Sequence, residues 1–336
     1  MVLCTGAQFG FEEAEKFLPP STCALIKSAF GFNLSKVCPY MEVSDMIVGE
    51  NTCDGKKKAY EIFRGLVRNF YTMDLPQTKS EEGRSLLKSE YQKLAYALEK
   101  LSDKKITVES LKSAISVVNE KRKAMMRMNG LRKNDPSPIS GLDALLANQL
   151  FFFDDPQRFT SAINKICDEL EERVKKGEGI HPKNTPRIII SGCPMAIPNW
   201  KVTSLIEQSG AVVVGEESCV GERDERWLTE EQGNSVEELM ENIVDRYFKI
   251  DCAIFTPNPS RQEHVEEMVS AYKAQGVVQY CLQFCQPYQI ESRLMEPKLA
   301  EKNIPVLRIE TDYSMEDIGQ LKTRFQAFVE MIKSNN

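Results

Sequence analysis

Five short apolar, β-branched runs alternating with helical patterns constrain the second half of this chain more than any other feature. The runs are Arg187–Ser191, Ala211–Gly215, Asp251–Thr256, Gly276–Phe284 and Ile304–Ile309; helices are expected over Pro198–Gln208, Ser235–Phe248 and after each later run. Continuous apolar strands alternating with helices predict a parallel sheet covered on both faces. With right-handed crossovers, five such units make a doubly wound, flavodoxin-like α/β domain. The first half carries a weaker copy: a strand at Asp45–Gly49, a helix at Asp54–Val67, and a strand at Asn69–Met73 closed by Leu75-Pro76. Long helices follow. Thr107 is the expected N-cap of one reaching Gly130, with Val108, Leu111, Ile115 and Val118 at helical spacing. The Met125, Met126, Met128 group at its end reads as packing. Another helix is expected over Pro156–Lys176, leading into the linker His181–Pro186. The pattern predicts two Rossmann-like α/β domains, 1–180 and 181–336, facing one another across a cleft and joined by a helical region.

Ten cysteines stand out in a chain of 336 residues with only two histidines, His181 and His264. A disulfide framework suits small exported domains, and nothing here points to export. Zinc ribbons would show Cys-x-x-Cys pairs, which are absent. Position sorts the cysteines instead, because ligands in open α/β sheets bind beyond the carboxyl ends of the strands. Cys53, Cys193, Cys219 and Cys285 each follow an expected strand. Cys38 lies in a Cys-Pro loop, and Cys23 lies in a loop opened by Pro19-Pro20. Cys252 begins its expected strand and so falls at the opposite edge. Cys281 lies inside its strand, about 13 Å from Cys285 at about 3.3 Å per residue. Cys167 reads as core, and Cys4 is unassigned. A helix N-terminus favours a thiolate through its dipole and unpaired N–H groups, and iron–sulfur clusters are held by thiolates. A proline after the cysteine presets the first helical turn without wasting a donor.

The net charge of −6 argues against a nucleic-acid footprint, and Lys56-Lys57-Lys58 reads as a solvated face. No apolar stretch approaches the roughly 20 residues that span a bilayer. Met1–Gly10 lacks the features of a signal peptide, so a cytoplasmic protein is expected. Neither a P-loop nor a dinucleotide fingerprint is present.

Cys38-Pro39-Tyr40, Thr52-Cys53-Asp54-Gly55-Lys56-Lys57-Lys58, Ser191-Gly192-Cys193-Pro194 and Ile309-Glu310-Thr311-Asp312-Tyr313 occur in order along the chain. Together they resemble the D-subunit family of 2-hydroxyacyl-CoA dehydratases and benzoyl-CoA reductases, in particular its double-cubane-cluster branch. The likeness runs from about Glu12 to Glu330, with Asn51-Thr52-Cys53-Asp54 where the family has Thr-Thr-Cys-Asp. The resemblance implies a single [4Fe-4S] cluster on Cys23, Cys53 and Cys285 in a dehydratase subunit. In the double-cubane branch it implies an [8Fe-9S] cluster, and the strand-end sorting adds Cys38, Cys193 and Cys219 to reach six ligands. It further implies an ATP-hydrolysing iron–sulfur activator as electron donor, a small-molecule or acyl-CoA substrate, and a homodimer formed through the helical region. Relatives carry a further N-terminal strand, so the first sheet is expected to lack one. The reading preferred is a reductase component with a double cubane. The alternatives are an (R)-2-hydroxyacyl-CoA dehydratase subunit and a cluster-free or zinc-binding structural protein. Glu217 and Glu310, at strand ends, are the expected proton donors.

Overall fold

The computed structural model describes residues 6–334, so Cys4 lies outside the described residues. Six strands are described: β1 (Ile47–Asn51), β2 (Phe70–Asp74), β3 (Arg187–Gly192), β4 (Val212–Glu217), β5 (Gly276–Leu282) and β6 (Val306–Thr311). All pairings are parallel. They form a two-stranded sheet, β1-β2, and a four-stranded sheet in the order β4-β3-β5-β6. The chain is therefore an α/β protein built on parallel sheets, as expected.

The larger sheet reverses direction after β3: the chain steps to β4 on one side, then returns past β3 to β5 and on to β6. Right-handed crossovers then place the helix Lys201–Gln208 on one face and the helices Pro259–Ala271 and Gln286–Glu301 on the other. Contacts agree, since Lys201–Gln208 packs with the last helix, Ile318–Ser334, and the other two pack together. β3, β4 and β5 are buried along their whole length, which is why they read as continuous apolar runs. Ile189, Val212, Val214, Val265, Met268, Val277, Met295 and Leu299 share one core.

The expected strand Asp251–Thr256 is not a strand. Its backbone closes on itself, with Phe255 N–H donating to the Cys252 carbonyl and Thr256 N–H to the Gln77 carbonyl. Pro257 and Pro259 follow directly and bar a ladder from continuing beyond Thr256. Buried Asp251 instead pairs with Lys79 at 3.0 Å. Cys252 consequently sits in a turn rather than at the start of a strand.

The chain divides into two compact units, each discontinuous in sequence. One comprises 1–8, 121–226 and 259–336; the other comprises 9–120 and 227–258. One boundary falls inside the helix Val108–Leu131. In the second unit the helix Val236–Phe248 packs on Glu81–Ser102. The buried centre there is Met73, Leu87 and Val244, with Tyr71, Tyr91, Leu94 and Tyr247 around it. In the first unit Met125 and Met128 are buried with Phe159, Ile163, Cys167 and Leu170, whereas Met126 is exposed.

Candidate functional site

None of the nine described cysteines is in a disulfide. Four of them occupy the N-cap position of a helix: Cys23 before Ala24–Leu34, Cys38 before Pro39–Val43, Cys53 before Asp54–Phe63 and Cys285 before Gln286–Glu301. Cysteine is not a preferred cap. Where the chain needs a cap it uses Ser80, Ser140, Asp155 or Ser235, whose side chains accept first-turn N–H groups. None of the four cysteines makes such a bond, so each stands where a first turn offers donors to something other than its own cap.

Cys53, Cys193, Cys219 and Cys285 follow β1, β3, β4 and β5, at the strand ends the sequence pattern assigned them. Cys193 is fixed closely. Gly192 has φ +142°, and a Cβ there would stand 2.0 Å from the Tyr280 carbonyl oxygen, so only glycine lets β3 end against β5. Cys193 N–H then donates to that oxygen at 2.9 Å. In return Leu282 N–H donates to the Cys193 sulfur at 3.3 Å. Before Cys285, Phe284 adopts the left-handed region at φ +62°, which is costly for an aromatic residue and characteristic of functional turns. Cys219 is exposed, and Arg223 Nη1 donates to its sulfur at 3.4 Å.

Three cysteines stand apart from this pattern. Burial pushes the Cys167 thiol up to about 11, and its sulfur donates to the Ala124 carbonyl. Burial also raises Cys281, which donates to the Tyr288 carbonyl. Both are packing residues. Cys252 belongs to the turn described above.

A buried polar network lies at the ends of β3 and β4. Glu217 Oε2 accepts from Ser191 Oγ at 2.7 Å and Arg261 Nε at 2.9 Å, while Oε1 accepts from Arg223 Nε at 3.0 Å. Arg223 also donates to Tyr288 Oη at 2.6 Å, and Arg261 pairs with Glu291 and lies 5.0 Å over the Tyr288 ring. Burial alone would raise the Glu217 carboxyl, but the Arg223 and Arg261 charges outweigh it and hold the group at about 2. Glu217 is thus an anchored anion. Glu310 is exposed at the end of β6. The sequence reading missed Ser191, Arg223, Arg261, Tyr288 and Glu291. The one local signal was an arginine close to a strand-end cysteine, in Cys219-Val220-Gly221-Glu222-Arg223.

Among the described residues no three His, Cys, Asp or Glu side chains form a ready-made metal-holding set. The fit to an iron–sulfur cluster is one of donor type and position: thiols at helix starts, and two further thiols accepting N–H groups. No described helix is long and apolar enough to cross a membrane.

The family model described as 2-hydroxyglutaryl-CoA dehydratase, D-component, matches residues 1–332, and the chain belongs to that family. It is 36% identical over 334 residues to a protein named putative dehydratase subunit YjiM of Escherichia coli (strain K12), covering 98% of this chain and 85% of the relative. It is 27% identical over 331 residues to the (R)-phenyllactyl-CoA dehydratase beta subunit of Clostridium sporogenes, covering 97% and 85%. It is 21% identical over 322 residues to a benzoyl-CoA reductase subunit of Thauera aromatica, covering 95% and 81%.

Proposed function

We propose that this chain is an iron–sulfur subunit of a 2-hydroxyacyl-CoA dehydratase or benzoyl-CoA reductase type enzyme, with Cys23, Cys38, Cys53, Cys193, Cys219 and Cys285 as its thiolate ligands. The observation that carries the reading is the placement of these six thiols. Four cap helices without spending their sulfur on the cap, and the other two receive N–H groups from Leu282 and Arg223. Donors aimed at ligand sulfurs tune cluster potential. Cys193 and Cys219 lie outside the three-cysteine set of a single-cluster subunit, and their donors favour the six-ligand, double-cubane reading. When bound, the cluster supplies low-potential electrons to a small-molecule or acyl-CoA substrate, and an ATP-hydrolysing iron–sulfur activator replenishes them in the cytoplasm.

The chain's own residues orient and hold. The Glu217 carboxylate fixes Arg223, which presents an N–H to Cys219. Glu310, exposed at its strand end, is the acid with access to solvent protons. A dehydratase subunit with one [4Fe-4S] cluster is the second reading, favoured by the names of the relatives. Those relatives are named as subunits, and this chain is read as assembling too, as a homodimer through its helical region. On the long helix Val108–Leu131 of that region Met126 is exposed, while Met125 and Met128 are buried.

Anaerobic reconstitution followed by iron and sulfide analysis tests the reading. The expected content is about eight irons per chain, against about four for the single cluster. Replacing Cys193 or Cys219 by Ser lowers iron in the first case and leaves it unchanged in the second, and Cys252→Ser changes it in neither. Protein that takes up no iron under these conditions would refute the proposal.

A further inference from the structure

Glu216 and Glu217 are neighbours on β4 and project to opposite faces. The Glu216 carboxylate is taken up by buried Arg132, whose Nη1 and Nη2 donate to it at 2.6 and 2.7 Å. Arg132 Nη1 also bonds Asn129 Oδ1, and Nη2 the Val213 carbonyl. Two more carboxyls lie in the same region of this unit, and no guanidinium among the described residues is bonded to them. Buried Glu225 accepts from Asn129 Nδ2, but its Oε2 has no partner. Glu222 Oε1 is buried and unpartnered as well, 3.4 Å from where a Cβ on Gly215 would stand. A small cavity lined by Asn148, Phe151, Phe152, Gly221, Asp224 and Glu225 adjoins them, and Asn148 Nδ2 is a buried donor without a partner.

The charges facing the pair come from every element around it. β4 brings Glu216, the helix Val108–Leu131 and the residues after it bring Arg132 and Lys133, and the neutral Tyr272, just past Pro259–Ala271, hydrogen-bonds the Glu222 carboxyl. The segment's own Asp224 faces them too, with Arg122 donating to its carbonyl and Lys121 nearby. Buried Arg132 is already matched by Glu216, so ionising both Glu222 and Glu225 would leave uncompensated buried negative charge. Burial is the main cause that lifts Glu222, to about 7, and lifts Glu225 well above the usual carboxylate range, with Glu222 adding to the effect on Glu225.

The same two residues flank Arg223, on the segment that leaves β4 through Ser218 and Cys219. That segment is pressed onto β4: a Cβ on Gly221 would stand 2.3 Å from the Glu216 carbonyl oxygen. We propose that Glu222 and Glu225 form a buried proton-binding pair that keeps the segment Ser218–Arg226 packed on β4 while protonated and loosens it on ionising. Cys219 and Arg223 ride on this segment, so ambient pH sets how firmly both are held. The inference does not depend on the cluster.

Each carboxyl binds its proton more tightly folded than unfolded. For Glu222 the folded state therefore loses relative stability as pH rises from about 4.5 to about 7, and the loss from Glu225 begins at the same lower end and continues up to its own raised value. The test is the melting temperature of the full chain between pH 5 and 8.5, in the wild type and in Glu222→Gln and Glu225→Gln. The wild type should melt lower at the alkaline end, and each variant should remove about 3–5 °C of that drop. At pH 8.5 the variants should also slow amide exchange in residues 218–226 relative to the wild type. Infrared difference spectra of the wild type alone, between pH 6 and 8.5, should lose a protonated-carboxyl band. Equal pH slopes in wild type and folded variants, unchanged exchange in 218–226, or no carboxyl band would each overturn the proposal. If neither variant folds, the wild-type infrared spectrum decides.

Discussion

Glu217→Ala is expected to destabilise the protein by about 3–5 kcal/mol, the range for removing one partner of a buried ion pair. Two fully buried guanidiniums, Arg223 and Arg261, lean on this one carboxylate, and Ser191 donates to it as well. Glu291 would remain for Arg261, but Arg223 would lose the carboxylate that its Nε and Nη2 hold. The contrast is an exposed pair such as Lys16–Glu13, where the same change should cost at most about 0.5 kcal/mol. Denaturant midpoints of the two variants measure both. A Glu217→Ala loss below about 1 kcal/mol would mean that water reaches the arginines and the network is not the buried anchor described above. Because Arg223 also reaches Cys219, this variant should lower iron retention too, which Glu13→Ala should not.

Gly192→Ala is expected to cost roughly 3 kcal/mol or more, since it combines an unfavourable backbone conformation with a collision. The added Cβ would meet the Tyr280 carbonyl oxygen at 2.0 Å, and backbone cannot swing aside as a flexible side chain can. The strand ends must then part, which breaks the Cys193–Tyr280 backbone bond and draws the Cys193 sulfur from Leu282 N–H. Gly130→Ala is the control, because a Cβ there meets nothing within 4 Å. Thermal melts of the two should differ by several degrees. Similar melts would show that β3 and β5 can separate at this point without penalty.

The buried strands were legible because β3, β4 and β5 are enclosed on both faces and therefore apolar throughout; their predicted ends lie within two residues of the observed ones. Asp251–Thr256 misled for the same reason: Ala253, Ile254 and Phe255 form an apolar run, and burial alone does not tell a strand from a buried turn. The prolines at 257 and 259 were the visible warning. The positions of the strand-end cysteines followed from the strand pattern, since a thiol just past a strand has little freedom of place. The arginine network did not, because Arg223, Arg261 and Glu291 are far apart in sequence and nothing local marks a charge as buried. Glu217 illustrates the cost of that blindness. Its place beside Cys219 suggested a proton donor, while of the two arginines that hold it ionised Arg223 follows close behind it and only Arg261 comes from a helix the sequence does not connect to it.

The excursion of residues 227–258 also bears on how the chain is made. Val244 and Tyr247 complete a core begun by Met73, Leu87 and Tyr91, so that core stays open on the ribosome until more than a hundred further residues have been synthesised. The apolar side of Glu81–Ser102 is bare in the meantime, and long-range closure of this kind is slow and prone to aggregation. Cutting the chain at any one place would leave one of the two compact units short of a segment. Producing residues 9–120 alone should therefore give an aggregating fragment, whereas supplying 227–258 in trans should recover soluble material.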